Sequence, residues 1–394
     1  MKYGYFDDEH REYVITSPRT PVKWINYVGT LAFGGIVDHT GGSLICKGDP
    51  ALNRITRYIP QLPASEFKGE TLYLRFKREE GSYKVFSPYL VPTLDSYDLY
   101  ECHVGLGYTR IVSQFYGIRT DATIFVPRGD HREIRDVQIT NISGRPVEID
   151  AIPVVEYTHP NALKQFTNAD WVPQTMQSSA YRDERGRVIL AQYPFMVKDT
   201  QLNVFTSNHP ASSFETDRRR FLGDNEYGTW ANPLGLQEPE LSSYEALRGD
   251  NVAALLHHLG TLQPGESTRL ITQLTQDESV EKALPSINRY RDPAQVERAL
   301  EEMAAFWDSF LSRLQAETPE ASVNSLLNVH NPRQCHTTMN WSRYLSLYQL
   351  GLGARGIGFR DSSQDVIGIL AQLPDEDKAL KKAPAHHHSS KGPF

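Results

Sequence analysis

The sequence predicts a mainly β fold, a large antiparallel β-sandwich, that gives way to helices opening a second, all-α unit. Three observations carry this. From the N-terminus to about residue 285, apolar residues fall at every second position in short runs bounded by turn residues. Few stretches of that region keep a helical period. Near residue 290 the period changes to that of an amphipathic helix.

Two runs illustrate the first observation. Arg135-Asp136-Val137-Gln138-Ile139-Thr140 alternates, the segment from Asn141 to Pro146 turns at Ser143-Gly144, and Val147-Glu148-Ile149 alternates again. Leu259 to Leu262 is followed by the turn Gln263-Pro264-Gly265-Glu266 and by Leu270-Ile271. Repetition of such runs over residues 1–285 points to a sandwich. The helix signal opens at Asp292-Pro293, an N-cap followed by proline at the first helical position. Val296, Leu300, Met303, Trp307, Phe310 and Leu314 then form one apolar stripe, and Pro319 ends it. Two further helical stretches are expected at about 320–330 and 334–350, with Pro332 between them and Gly351 as the stop.

At 394 residues the chain exceeds one compact domain. A net charge of −7 argues against a nucleic-acid partner, which needs a basic face. No run of 18 apolar residues is present, so no membrane span is expected, and the N-terminus shows no apolar signal-peptide core. The cysteines Cys46, Cys102 and Cys335 make no CxxC pair and read as buried free thiols in a reducing cytoplasm. From about residue 376 to 394 the sequence loses both period and apolar content, which reads as an aberrant tail and a truncated or frame-shifted end.

The densest polar cluster is Gly353-Ala354-Arg355-Gly356-Ile357-Gly358-Phe359-Arg360-Asp361-Ser362-Ser363-Gln364-Asp365. Arginine forks and carboxylates together can grip several hydroxyls of one pyranose ring, and glycines let the backbone approach it. The competing reading is a charged loop with local ion pairs. Other chemistries lack support. GIG is followed by no GxGxxG, the glycines from Gly29 to Gly42 lack GK[ST], and no GxSxG or HExxH occurs. His257 and His258 are adjacent, so in a strand they point to opposite faces and cannot share a metal ion. Residues from Glu156 to Trp171 form a polar, aromatic-bearing loop after an apolar strand. It reads either as a sugar-contacting loop or as an ordinary loop over a buried Trp171.

Several separated motifs now agree in order. The opening MKYGYFDD, Arg11 to Thr16, PVKWINYVG from Pro21 to Gly29, NRITRY from Asn53 to Tyr58 and GLGYTR from Gly105 to Arg110 resemble cellobiose phosphorylases. The run from Cys335 to Asp365, with Asn340-Trp341-Ser342-Arg343 and RGIGFRDSSQD, resembles them most. The family is glycoside hydrolase family 94, formerly glycosyltransferase family 36, and the likeness spans residues 1 to about 375. It implies a galactose-mutarotase-like sandwich (1–285), a helical linker (286–320) and the start of an incomplete (α/α)6 barrel (321–375). It implies donor-sugar contacts at Arg355 and Asp361, with Arg360, Gln364 and Asp365 on the same binding motif.

The activity implied is inverting phosphorolysis of a β-linked glucose disaccharide to α-glucose 1-phosphate, with phosphate as co-substrate and no cofactor or metal. A protonated aspartic acid would drive it, so only one protein carboxyl is needed. That acid is expected in a barrel segment beyond Asp365, which makes this chain inactive alone. A cytoplasmic enzyme acting on sugar and phosphate, with a homodimer as the family's assembly, completes the expectation. The stretch 158–178 departs from the cellobiose phosphorylase pattern, which leaves the acceptor sugar open. A hydrolase or cyclic-glucan-processing relative, or a non-catalytic carbohydrate-binding module, are the alternatives. The sandwich is expected to be stable alone, and residues after about 320 to be loosely ordered.

Overall fold

The computed structural model describes residues 2–168, 170–195, 201–223, 228–345, 351 and 358–373. It is a mainly β structure with two large antiparallel sheets face to face. The ten-stranded sheet runs in the order Gly4–Asp7, Glu12–Ile15, Leu99–Val104, Tyr108–Phe115, Ile118–Phe125, Arg132–Asn141, Ser267–Asp277, Leu202–Ser207, Val188–Pro194, Met176–Arg182. The five-stranded sheet runs Ser213–Asp217, Asn251–Leu262, Val147–Glu156, Glu70–Lys77, Tyr83–Phe86. A smaller sheet joins Ile25–Thr30, Phe33–Asp38 and Ser43–Cys46.

Both turns singled out in the sequence, 141–146 and 263–266, carry the chain from one sheet to the other. They meet at Asn141, whose side-chain amide donates to the carbonyls of Arg145 and Leu262 at 2.8 Å each. Alternation places Ile111, Phe115, Ile139 and Leu270 of one sheet against Leu72, Leu74, Val155 and Leu255 of the other, all buried. Fully burying each such side chain contributes roughly 1.5–3 kcal/mol.

Some strands lack alternation because both their faces are covered. Residues 149–156 are buried throughout. Their outward Ile152 and Val154 lie under Phe221, Leu236 and Leu241. The outer face of the ten-stranded sheet is covered in part by helices.

The helices are α1 (Ala162–Thr167), α2 (Arg218–Leu222), α3 (Val280–Tyr290), α4 (Pro293–Leu311), α5 (Ala321–Ser325), α6 (Asn331–Trp341) and α7 (Phe359–Ile367). Val280, Ala283 and Ile287 of α3 pack on Ile189, Ala191 and Val204. Pro285 lies inside α3 and obscured its period in the sequence. Val296, Met303, Trp307 and Phe310 of α4 pack with Phe125, Ile134 and Ile271. Asp292 caps α4 as expected, its carboxylate accepting from the Ala294 N–H at 3.0 Å.

Two helix expectations need correction. Leu314 falls beyond the end of α4 and is exposed, so it is not part of the apolar stripe. Pro332 does not separate two helices: α5 continues through a π-turn at Leu326–His330 into α6. Pro332 directly follows the π-turn, where the widened backbone takes up the hydrogen bond that its missing N–H removes from the helix. The helical stretch expected over 334–350 ends at Trp341, with residues 342–344 in a turn, so Gly351 is not its stop; residues 346–350 and the tail 376–394 lie outside the described residues. No helix among the described residues is long and apolar enough to cross a membrane.

Candidate functional site

The site is built from the C-terminal end of α6, the glycine at 351 and helix α7. Trp341 and Leu345 are buried with Ile36, Leu44, Cys46 and Tyr58 of the smaller sheet region. The rings of Tyr27 and Trp341 lie 5.7 Å apart, and the Tyr27 hydroxyl donates to the Leu345 carbonyl at 3.1 Å. This fixes the direction in which Ser342 and Arg343 leave α6.

Arg343 and Ser342 converge on Asp365. The guanidinium makes a forked pair with the carboxylate, Nε to Oδ2 at 2.8 Å and Nη2 to Oδ1 at 3.0 Å. The Ser342 hydroxyl donates to the same Oδ2 at 3.0 Å. Arg343 also donates to the Asp361 carbonyl at 3.4 Å. A planar fork is the geometry at which arginine binds carboxylate most strongly. Asp365 is therefore the anchor of α7, with only 10% of its side chain exposed.

Asp361 sits one turn earlier on the same helix face. Its carboxylate is 40% exposed and stands 3.3 Å from an Arg360 guanidinium that is itself 85% exposed. The first turn of a helix favours a negative charge. Gly358 precedes the helix, and a Cβ there would stand 2.7 Å from Asp361 Oδ2. Gln364 is exposed. Arg360, Asp361, Gln364 and Asp365 are thus brought together on one helix, while Arg355 lies outside the described residues.

Gly351 sets where this segment leaves the smaller sheet. Its φ is +119°, and a Cβ would fall 2.3 Å from the Ala51 nitrogen and 2.4 Å from Asp49 Oδ1. The Asp49 carboxylate is occupied there, accepting from the Ala51 N–H at 2.9 Å. Neither this approach nor the role of Arg343 was foreseen. The partners lie 300 and 22 positions away in sequence, and no local pattern encodes such distances.

The loop after Glu156 is held from below. Glu156 is buried between Arg57 at 3.1 Å and Arg218 at 3.2 Å, and burial pushes its carboxyl above the ordinary range despite them. The expectation of a buried Trp171 is overturned: the ring is 63% exposed. It follows α1 and precedes a 3-10 turn at Val172–Thr175, whose Val172 takes the buried position instead. His257 and His258 do face opposite sides. His257 is buried and held neutral, its ring pushed down to about 4 by burial. His258 bridges Asp150 at 2.7 Å and Glu240 at 2.9 Å. No cluster of metal-ligating side chains occurs among the described residues. Of the thiols, Cys46 and Cys102 are buried and Cys335 is half-buried.

Comparison with known proteins agrees along the chain. The family described as glycosyl hydrolase 94, supersandwich domain, matches residues 11–293. The glycosyl hydrolase 94 superfamily catalytic domain matches residues 306–392. An N,N'-diacetylchitobiose phosphorylase of Vibrio proteolyticus is 32% identical over 95% of this chain and 45% of its own length. That of Vibrio furnissii is 31% identical over 94% of the chain and 45% of its own length. A solabiose phosphorylase of Paenibacillus borealis is 28% identical over 94% and 46%. The chain thus spans about half the length of the curated relatives it matches.

Proposed function

Because the chain belongs to the glycosyl hydrolase 94 family, we propose that it forms the sandwich and the first helices of an inverting disaccharide phosphorylase. The observation that carries this reading is the Arg343–Asp365 fork, which anchors α7 while leaving Asp361 turned outward. A carboxylate at a helix N-terminus can accept hydrogen bonds from two hydroxyls of one sugar ring. In this reading Asp361 and Arg355 hold the donor sugar, and Arg360 and Gln364 lie beside it. Asp365 keeps the helix in place.

The chemistry proposed is a single displacement. A phosphate oxygen attacks the anomeric carbon, the glycosidic C–O bond breaks on the opposite face, and a carboxylic acid protonates the departing oxygen. Phosphate replaces the activated water of an inverting hydrolase, so no second carboxyl is needed. None of the described aspartates is assigned as the acid. Asp361 and Asp365 belong to the binding helix, and the acid is proposed in an (α/α)6 barrel of which α5, α6 and α7 are the first helices. A cytoplasmic homodimer acting on sugar and phosphate belongs to the same proposal.

The donor is a β-linked glucose or N-acetylglucosamine unit. The second alternative enters because two relatives at 31–32% identity carry the name N,N'-diacetylchitobiose phosphorylase. The test is release of sugar 1-phosphate from a panel of β-linked glucose and N-acetylglucosamine disaccharides by the full gene product. Phosphate-dependent release of the α-anomer is expected from one of them. Phosphate-independent hydrolysis would move the reading to a hydrolase relative, and sugar binding without turnover to a binding module. The 394-residue chain assayed alone is expected to give no product; product from it would place an acid within these residues.

A further inference from the structure

A line of side-chain amides runs across three neighbouring strands of the ten-stranded sheet and ends at a cavity. Asn53 and Gln276 exchange hydrogen bonds, Asn53 Nδ2 to Gln276 Oε1 at 2.8 Å and Gln276 Nε2 to Asn53 Oδ1 at 2.9 Å. Gln276 Nε2 also donates to Asn203 Oδ1 at 2.9 Å. Asn203 Nδ2 donates in turn to Gln192 Oε1 at 2.7 Å. Each amide thereby fixes the orientation of the next, and the direction of the line leaves a donor, Gln192 Nε2, at its far end.

That donor is buried and has no protein partner among the described residues, and neither does the buried Tyr157 hydroxyl. Both residues line one small cavity, together with Thr158, His159, Asp250 and Asn251. About 10 Å³ of it is open to the centre of a water-sized sphere. This matches one water molecule and excludes a sugar ring. Two buried polar groups left unpaired would each carry a desolvation cost that native interiors rarely tolerate.

The cavity's roof is the segment after Tyr157. The Gln165 side-chain oxygen accepts from the Thr158 hydroxyl, and from the His159 N–H at 2.6 Å. His159 is held neutral by burial, and its Nδ1 accepts from the Asn161 N–H at 3.0 Å. The roof's own polar groups are therefore turned to one another, whereas the Gln192 amide nitrogen and the Tyr157 hydroxyl, on residues that line the same cavity, have no partner among the described residues.

We propose that this cavity is a binding site for a single internal water, which accepts from Gln192 Nε2, pairs with the Tyr157 hydroxyl and pins the 158–176 segment to the sandwich. The water is a positioning element for the segment that carries Trp171. The inference does not depend on which reaction the protein performs.

Thermal unfolding of Tyr157→Phe, Gln192→Met and the double variant tests it, with trypsin cleavage at the exposed Lys164 as a second readout. If one water joins the two groups, each single change lowers the melting temperature by about 1–3 °C. The double variant then falls no further than the larger single effect. All three variants are cut faster at Lys164. An unchanged or raised melting temperature in Tyr157→Phe would overturn the proposal, since removing a truly unpaired group relieves a cost; Gln192→Met also removes the acceptor of Asn203 Nδ2 and falls in either case. Additive losses would also overturn it, because they assign each group its own partner. A crystal structure of the unaltered chain gives an independent answer. A solvent peak within hydrogen-bond distance of both atoms supports the site, and an ordered cavity without one refutes it.

Discussion

Arg343 reaches across 22 positions to hold Asp365 by two parallel hydrogen bonds of 2.8 and 3.0 Å. The pair ties the end of α6 to α7, so the outward face of α7 depends on it. Replacing Arg343 by Lys keeps the charge but loses the fork. Expected is a local destabilisation of α7 of about 1–2 kcal/mol, read as faster amide exchange across residues 359–367 with the sandwich strands unchanged. Ser342→Ala should do less, since it removes one neutral donor. Equal exchange in Arg343→Lys and the unaltered protein would show that the fork does not hold the helix.

Gly351 tests the other end of the segment. Alanine there is strained twice, by a φ of +119° and by a Cβ placed 2.3 Å from the Ala51 nitrogen. Gly81 serves as the control: its φ is +93°, yet nothing lies within 4 Å of a Cβ. Gly81→Ala should cost about 1 kcal/mol, and Gly351→Ala clearly more. The melting temperatures of the two variants decide it. A smaller loss for Gly351→Ala would mean that the approach to the Asp49–Ala51 turn can relax at little cost.

The sandwich was legible because half-buried strands advertise their faces. Val137 and Ile139 point inward and Gln138 outward, as the alternation said. What the sequence did not show is that its two clearest turns join different sheets, since a turn residue fixes a reversal and not a partner. Helix α4 was legible from its Asp292-Pro293 start, whereas Pro285 masked α3. At the candidate site the residue types were legible as a cluster, but their division of labour was not. Asp361 and Asp365 look equivalent in sequence, and the distant Ser342 and Arg343 separate the exposed carboxylate from the anchored one. Trp171 was misread for a related reason: nothing local says whether Trp171 or its neighbour Val172 turns inward.

A pH effect follows from the core. Glu70 and Glu133 share one guanidinium, Arg135, at 3.2 and 3.0 Å, with all three side chains buried. Burial pushes the Glu133 carboxyl well above the ordinary range; Glu70 adds to the shift and Arg135 opposes it. A carboxyl whose value is raised by folding holds its proton in the folded state where the unfolded chain has lost it. Stability therefore falls as pH rises above the unfolded carboxylate range, by at most about 1.4 kcal/mol per pH unit for one group. Glu133→Gln imitates the protonated form. It should match the unaltered protein near pH 4.5 and become the more stable of the two as pH rises toward 8. A difference in melting temperature that stays constant over this range would rule out Glu133 as the titrating group.

Trp307 is the joint between the sandwich and the candidate site. A Cβ on Gly107, at a turn of the ten-stranded sheet, would stand 2.8 Å from Met303 Sδ and 3.3 Å from the Trp307 indole Nε1, so the glycine there gives room to both α4 side chains. On its other side the ring lies 5.1 Å from that of His336 on α6, and it shares a buried cluster with Ile369 just beyond α7. Trp307→Ala should cost about 3–5 kcal/mol, the range for removing a large aromatic from a core. The loss should be unevenly spread. Helices α6 and α7 touch the sandwich through this cluster and the Trp341 contact alone among the buried clusters named, whereas the strands keep the core between their sheets. Amide exchange of Trp307→Ala is therefore expected to show α6 and α7 opening first while strands 132–141 and 267–277 remain protected. The exposed Leu314 is the comparison, and its change to alanine should alter stability by less than about 0.5 kcal/mol. Uniform loss of protection over strands and helices alike would mean that sandwich and helices unfold as one unit, and that the site cannot loosen without the fold.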